Sequence, residues 1–95
     1  MDWETVLLPF VGNPITIWLE DISGEEKTRP QTHTLHHVKA EAQLVKLYLN
    51  DHQFWSIPVF SDDRTEIREE ETEDQVVFVS RDEKAQLVYW AYLAN

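Results

Sequence analysis

The stretch that most constrains this chain is VVFV at Val76–Val79, followed a few residues later by LVYWAYL at Leu87–Leu93. A short, unbroken run of β-branched and aromatic residues reads as a strand buried on both faces. Between the two runs, Ser80 and Glu83 have the spacing of a capping box, which would open a helix toward Leu93. Winding Leu87–Leu93 as a helix places apolar residues on every side and leaves no polar face. The reading adopted is therefore a hairpin, with Arg81–Lys84 as its loop.

Elsewhere the period is easier to assign. Ile15–Glu20 (ITIWLE) alternates, with Ile15, Ile17 and Leu19 on one face, and reads as a strand closed by Ser23-Gly24. Thr5–Phe10 (TVLLPF) reads as a short strand, confined to an edge by Pro9. Phe54–Phe60 reads as another, with Pro58 implying an edge or a bulge. The main helix is expected over about 35–49. Wound at about 100° per residue, Lys39, Gln43, Lys46 and Asn50 fall in one stripe, with Val38, Ala42, Val45 and Leu49 opposite. A rival reading makes Leu44–Leu49 a strand that turns at Asn50-Asp51 into Gln53–Ile57. The expected fold class is α+β, a small antiparallel sheet in the rough order β-β-α-β-β-β with one main helix; the alternative is an all-β small barrel.

Length and composition set the frame for function. Ninety-five residues make one domain, 1–95, and 42% apolar content with four Trp, four Phe and three Tyr is too hydrophobic for a disordered chain. With no cysteine, disulfides, thiolate nucleophiles and Cys-ligated metal centres are excluded. That absence, an acidic start and apolar runs far short of the ~18 residues of a membrane span lead to the expectation of a soluble, cytoplasmic protein without membrane contact. A net charge of −10 repels phosphates, so direct nucleic-acid binding is not expected.

The charge is concentrated. From Ser61 to Asp74, Asp62, Asp63, Glu66, Glu69, Glu70, Glu71, Glu73 and Asp74 face only Arg64 and Arg68, a local net of −6. One reading is a hydrated loop between two strands. The other is a negative patch for a basic protein partner, as in acidic inhibitors of nucleic-acid-binding clefts and in immunity proteins that neutralise basic toxins. Eleven aromatics in so small a chain also imply exposed rings, and Trp55 and Trp90 are the candidate anchors beside the carboxylates.

Catalytic and metal chemistry has less to stand on. His33, His36 and His37, with His52 beyond, would share a face on a helix and converge on zinc, copper or nickel. No glutamate accompanies them as a base, and a cluster of this kind also serves as a pH-responsive charge. No serine lies in G-x-S-x-G, no glycine-rich phosphate loop is present, and the acidic run lacks calcium-loop spacing. The expectation is a non-enzymatic interaction module without a cofactor. An accessory or structural subunit that docks through an aromatic-rich sheet, on a larger assembly or on itself as a homo-oligomer, is the first alternative. A His-metal protein or small enzyme is the second. No motif carries a family resemblance.

Overall fold

The computed structural model of the protein describes residues 2–70 and 75–94, the side chain of Glu70 excepted. Among the described residues, a short helix α1 (Trp3–Leu7) and a 3₁₀ turn (Leu8–Phe10) precede eight strands: β1 Pro14–Asp21, β2 Gln31–Thr34, β3 His37–Glu41, β4 Leu44–Tyr48, β5 Phe54–Pro58, β6 Thr65–Glu70, β7 Gln75–Asp82 and β8 Leu87–Ala94. They form two antiparallel sheets, one of five strands in the order β2-β1-β8-β7-β6 and one in the order β3-β4-β5. The sheets do not close into a barrel.

The expected hairpin at the chain's end is present. β7 and β8 pair from Gln75↔Ala94 to Asp82↔Leu87, so Arg81 and Asp82 belong to the strand and the loop is 83–86 rather than the expected Arg81–Lys84, with Gln86 at φ 61°. Ser80 does not cap a helix; it is fully buried within β7. The strand read at Ile15–Glu20 is β1, central enough to pair with both β2 and β8.

Two expectations are overturned. The helix over 35–49 is absent, and the segment forms β3, a two-residue turn at Ala42-Gln43, and β4. The rival reading holds from Leu44 onward: Asn50 Oδ1 accepts the His52 and Gln53 amides, each at 2.8 Å, to turn β4 into β5. Both periods fit this sequence, and the tertiary surroundings choose. Val38, Val45 and Leu47 are each fully buried, worth about 1.5–3 kcal/mol apiece by removal from water. Helix propensity differs by only about 0.7 kcal/mol per residue at most. The hairpin lays these three, with Ile57, flat against the inner face of the larger sheet, which a single helical stripe would cover less completely. The turn escaped notice because it contains no Gly, Asn or Asp.

The second overturned expectation is the edge strand at Thr5–Phe10. Asp2 caps α1, its carboxylate accepting the Thr5 amide at 3.2 Å and the Thr5 hydroxyl at 2.6 Å. Trp3 and Leu7, one turn apart, are both buried. Pro9 sits at the start of the 3₁₀ turn, where its missing N–H has no consequence.

The core lies between the sheets. Ile15, Ile17, Val76, Phe78, Ala91 and Leu93 of the larger sheet meet Val38, Val45, Leu47 and Ile57 of the smaller. Trp3 closes one end, edge-on to Phe78 with ring centroids 5.1 Å apart. A buried chain of hydroxyls joins the sheets: Thr65 Oγ1 accepts the Phe60 amide at 2.9 Å and lies 2.8 Å from Ser80 Oγ, which donates to the Pro58 carbonyl.

Candidate functional site

The acidic segment is part strand, not loop throughout. β6 pairs with β7 from Thr65↔Ser80 to Glu70↔Gln75 and forms one edge of the larger sheet. Charged residues on such an edge discourage unwanted strand pairing. Glu66 and Arg68 project from the outer face of β6 and pair with each other at 3.2 Å. Glu69 is exposed near the end of the strand. Asp62 and Asp63 lie in the turn that precedes it. Glu71, Glu73 and Asp74, and the side chain of Glu70, lie outside the described residues.

Asp62 is tightly held. It accepts the Arg64 amide at 3.0 Å and Arg64 Nε at 2.9 Å. The Arg64 guanidinium, by this hydrogen bond and its charge, holds the Asp62 carboxyl below the usual carboxylate range. The same guanidinium lies over the Phe60 ring, 4.2 Å from its centroid.

The two tryptophans named from sequence part company. Trp55 is on the inner face of β5, paired with Leu47 in register, half-buried and 5.9 Å from the Tyr89 ring. It packs against the core. Trp90 is on the outer face of β8, stacked on Trp18 at 5.8 Å and 7°. Its indole Nε1 is buried with no hydrogen-bond partner among the described residues.

What the structure brings together instead is a carboxylate-lined cavity of about 330 Å³. Asp2 from the cap of α1, Glu41 from the end of β3 and Asp62 from the turn before β6 line it, with Trp3 and Phe60 among its walls. Each carboxyl sits below its ordinary pKa. For Asp2 the leading cause is the Thr5 hydroxyl; for Glu41 it is the hydrogen bond from Lys46, 2.9 Å away. All three are therefore ionised at neutral pH. Lys46 and Arg64 offset two of the charges, while Asp2 is held by a neutral group. Glu4 lies close by, accepting the Ala40 amide at 2.9 Å. Sequence reasoning missed Asp2, Glu41 and Trp3. The D-x-x-T spacing of Asp2 and Thr5 was the available signal for the first; Glu41 was hidden inside the expected helix.

The histidines do not share a helical face. His33 lies in β2, His37 in β3 beside the Tyr48 ring at 5.7 Å, and His36 between the strands, its Nε2 2.8 Å from Asp51 Oδ1. His52 belongs to the turn between β4 and β5. Among the described residues no group of three or more His, Cys, Asp or Glu is placed to hold a metal ion. Also among them, no helix is long and apolar enough to cross a membrane. Compared with protein-family models, curated proteins and solved structures, the chain shows no match.

Proposed function

We propose that this protein is a non-enzymatic interaction module that binds a basic protein partner, as an inhibitor or immunity-type protein does. The observation that supports the reading is the convergence of Asp2, Glu41 and Asp62, from three separate elements, on one cavity beside the acidic edge strand. A lysine or arginine side chain of the partner enters there. Its cationic head meets ionised carboxylates, and its methylene stem lies along Trp3 and Phe60. The exposed Asp63 and Glu69 extend the negative potential outward and speed encounter with the partner.

A lysine-rich nonapeptide serves as the probe, titrated by calorimetry at about 50 mM and about 500 mM salt, on either side of strong screening. Binding should weaken at least about tenfold between the two. The triple variant Asp2→Asn, Glu41→Gln, Asp62→Asn should weaken it comparably at low salt, while Asn at position 2 preserves the helix cap. Affinity indifferent to both salt and the triple variant would sink the reading.

A further inference from the structure

The outer face of the five-stranded sheet is a second surface, distinct from the acidic cavity. On a sheet face that meets only water, outward residues are polar. Here β7 and β8 are apolar on both sides. Val77, Val79 and Val88 point outward, are 0%, 8% and 8% exposed, and stand apart from the core between the sheets. Beside them in the register stand three aromatic residues, with Trp18 against Trp90 and Tyr92 at centroid distances of 5.8 and 4.9 Å. Trp90 carries the buried indole N–H that has no acceptor among the described residues.

The strand register states how this face is charged. Directly paired residues form rows across it. One row runs Glu20–Val88–Arg81, from β1 through β8 to β7. The next runs Trp18–Trp90–Val79 and ends on Glu66 of β6; the third runs Thr16–Tyr92–Val77 and ends on Arg68. β8 is the central strand of the five. Relative to it, the first row carries a carboxylate one strand away on one side and a guanidinium one strand away on the other. Glu20 and Arg81 line the same hollow of about 420 Å³ with Val88 and Trp90 between them, and they form no ion pair with each other.

We infer that this face binds a second copy of the same chain, in a two-fold dimer whose axis runs along β8. A rotation about that axis carries β1 of one copy over β7 of the other at the same level along the strands. Glu20 then faces the partner's Arg81, and Arg81 faces the partner's Glu20, so one contact in the register becomes two by symmetry. Trp18 lies over the partner's Val79, and Thr16 over the partner's Val77. Trp90, Tyr92 and Val88, nearest the axis, meet their own counterparts. The arrangement has the anatomy of a protein interface, apolar and aromatic at the centre with arginine and carboxylate at the margin. Charge decides the occupant. The chain as a whole carries −10 and repels its own kind, but the hollow on this face sets Arg64, Arg68 and Arg81 against Glu20, Asp63, Glu66 and Glu83, so three of its four carboxylates are offset. A uniformly basic partner gains little from so mixed a face, whereas a second copy sets Glu20 against Arg81 twice.

Sedimentation equilibrium across protein concentration tests this. The wild-type mass should rise toward that of a dimer. Arg81→Glu and Glu20→Arg should each weaken association at least about tenfold, as expected for placing like charges in contact. The double variant Glu20→Arg, Arg81→Glu should restore it, since the reversed pairs are again complementary. Circular dichroism confirms folding of each variant; if a reversal fails to fold, Arg81→Ala at this exposed position replaces it and should also weaken association. A mass that stays monomeric at millimolar concentration overturns the inference. So does a dimer indifferent to both single reversals, or a double variant no better than the singles.

Discussion

Removing one buried hydroxyl should loosen the two sheets from each other. Ser80 is fully buried in β7, and its single proton is committed to the Pro58 carbonyl at the end of β5. Thr65 must therefore donate to Ser80 Oγ, while its own oxygen accepts the Phe60 amide. The result is a directed relay, Phe60 N–H to Thr65 to Ser80 to Pro58 C=O, that ties the smaller sheet to the larger. Ser80→Ala deletes two of its links, at 2.8 Å and shorter, and leaves the Pro58 carbonyl without its Ser80 donor and the Thr65 hydroxyl proton without an acceptor. A net hydrogen bond is worth about 0.5–1.5 kcal/mol, and an abandoned buried group costs about 1–3 kcal/mol. The expected loss is about 2–3 kcal/mol, because Ala fills most of the space and creates almost no cavity. In a chain of this size that lowers the melting temperature by roughly 10 °C or more. Urea unfolding followed by tryptophan fluorescence measures it. Thr65→Val should cost a similar amount, and the double variant should cost clearly less than the sum, since both substitutions break the same relay. A Ser80→Ala loss below about 0.5 kcal/mol with an unchanged urea slope, or strict additivity with Thr65→Val, would refute the relay.

Three further outcomes are expected. Asp2→Ala should lower the midpoint of thermal unfolding and Asp2→Asn should lower it much less, because both bonds to Thr5 are cap bonds; equal losses would show that charge rather than capping matters. Replacing Ala42-Gln43 by Asn-Gly should raise the melting temperature, since two-residue hairpin loops favour that pair, whereas in a helix the glycine alone would cost about 1 kcal/mol. Asp2, Asp21, Glu41 and Asp62 sit below their ordinary values, chiefly through hydrogen bonds from Thr5, Ser23, Lys46 and Arg64. Because their folded values are depressed, the stability they contribute is present above the ordinary carboxylate range and is lost as pH falls below that range through the folded values. Carboxyl chemical shifts followed through an acid titration should give midpoints for these four below those of Asp and Glu in short peptides, and midpoints at or above the peptide values would contradict the contacts.

Some of this architecture follows from local pattern alone. Ile15, Ile17 and Leu19 alternate strongly enough to be a strand anywhere, and VVFV followed by LVYWAYL leaves no polar face for a helix. The −10 charge and the missing cysteines likewise bound the chemistry without reference to shape. Where two periods fit equally well, the sequence is silent. From Val38 to Leu49 the same residues make a helical stripe or a strand alternation, and the flat inner face of the larger sheet selects the strands by burying Val38, Val45 and Leu47 completely. Thr5–Phe10 has strand-forming residues, yet Asp2 at its head and the burial of Trp3 and Leu7 one turn apart make its first part helical. The candidate site divides in the same way. Its acidity is written in the Ser61–Asp74 segment, but Asp2 and Glu41 share a cavity with Asp62 only because α1 packs beside β3 and the turn before β6 borders the same space. Local pattern determines what an element is when a single period satisfies it; contacts between residues far apart in the chain, each worth more than any propensity difference, decide the rest.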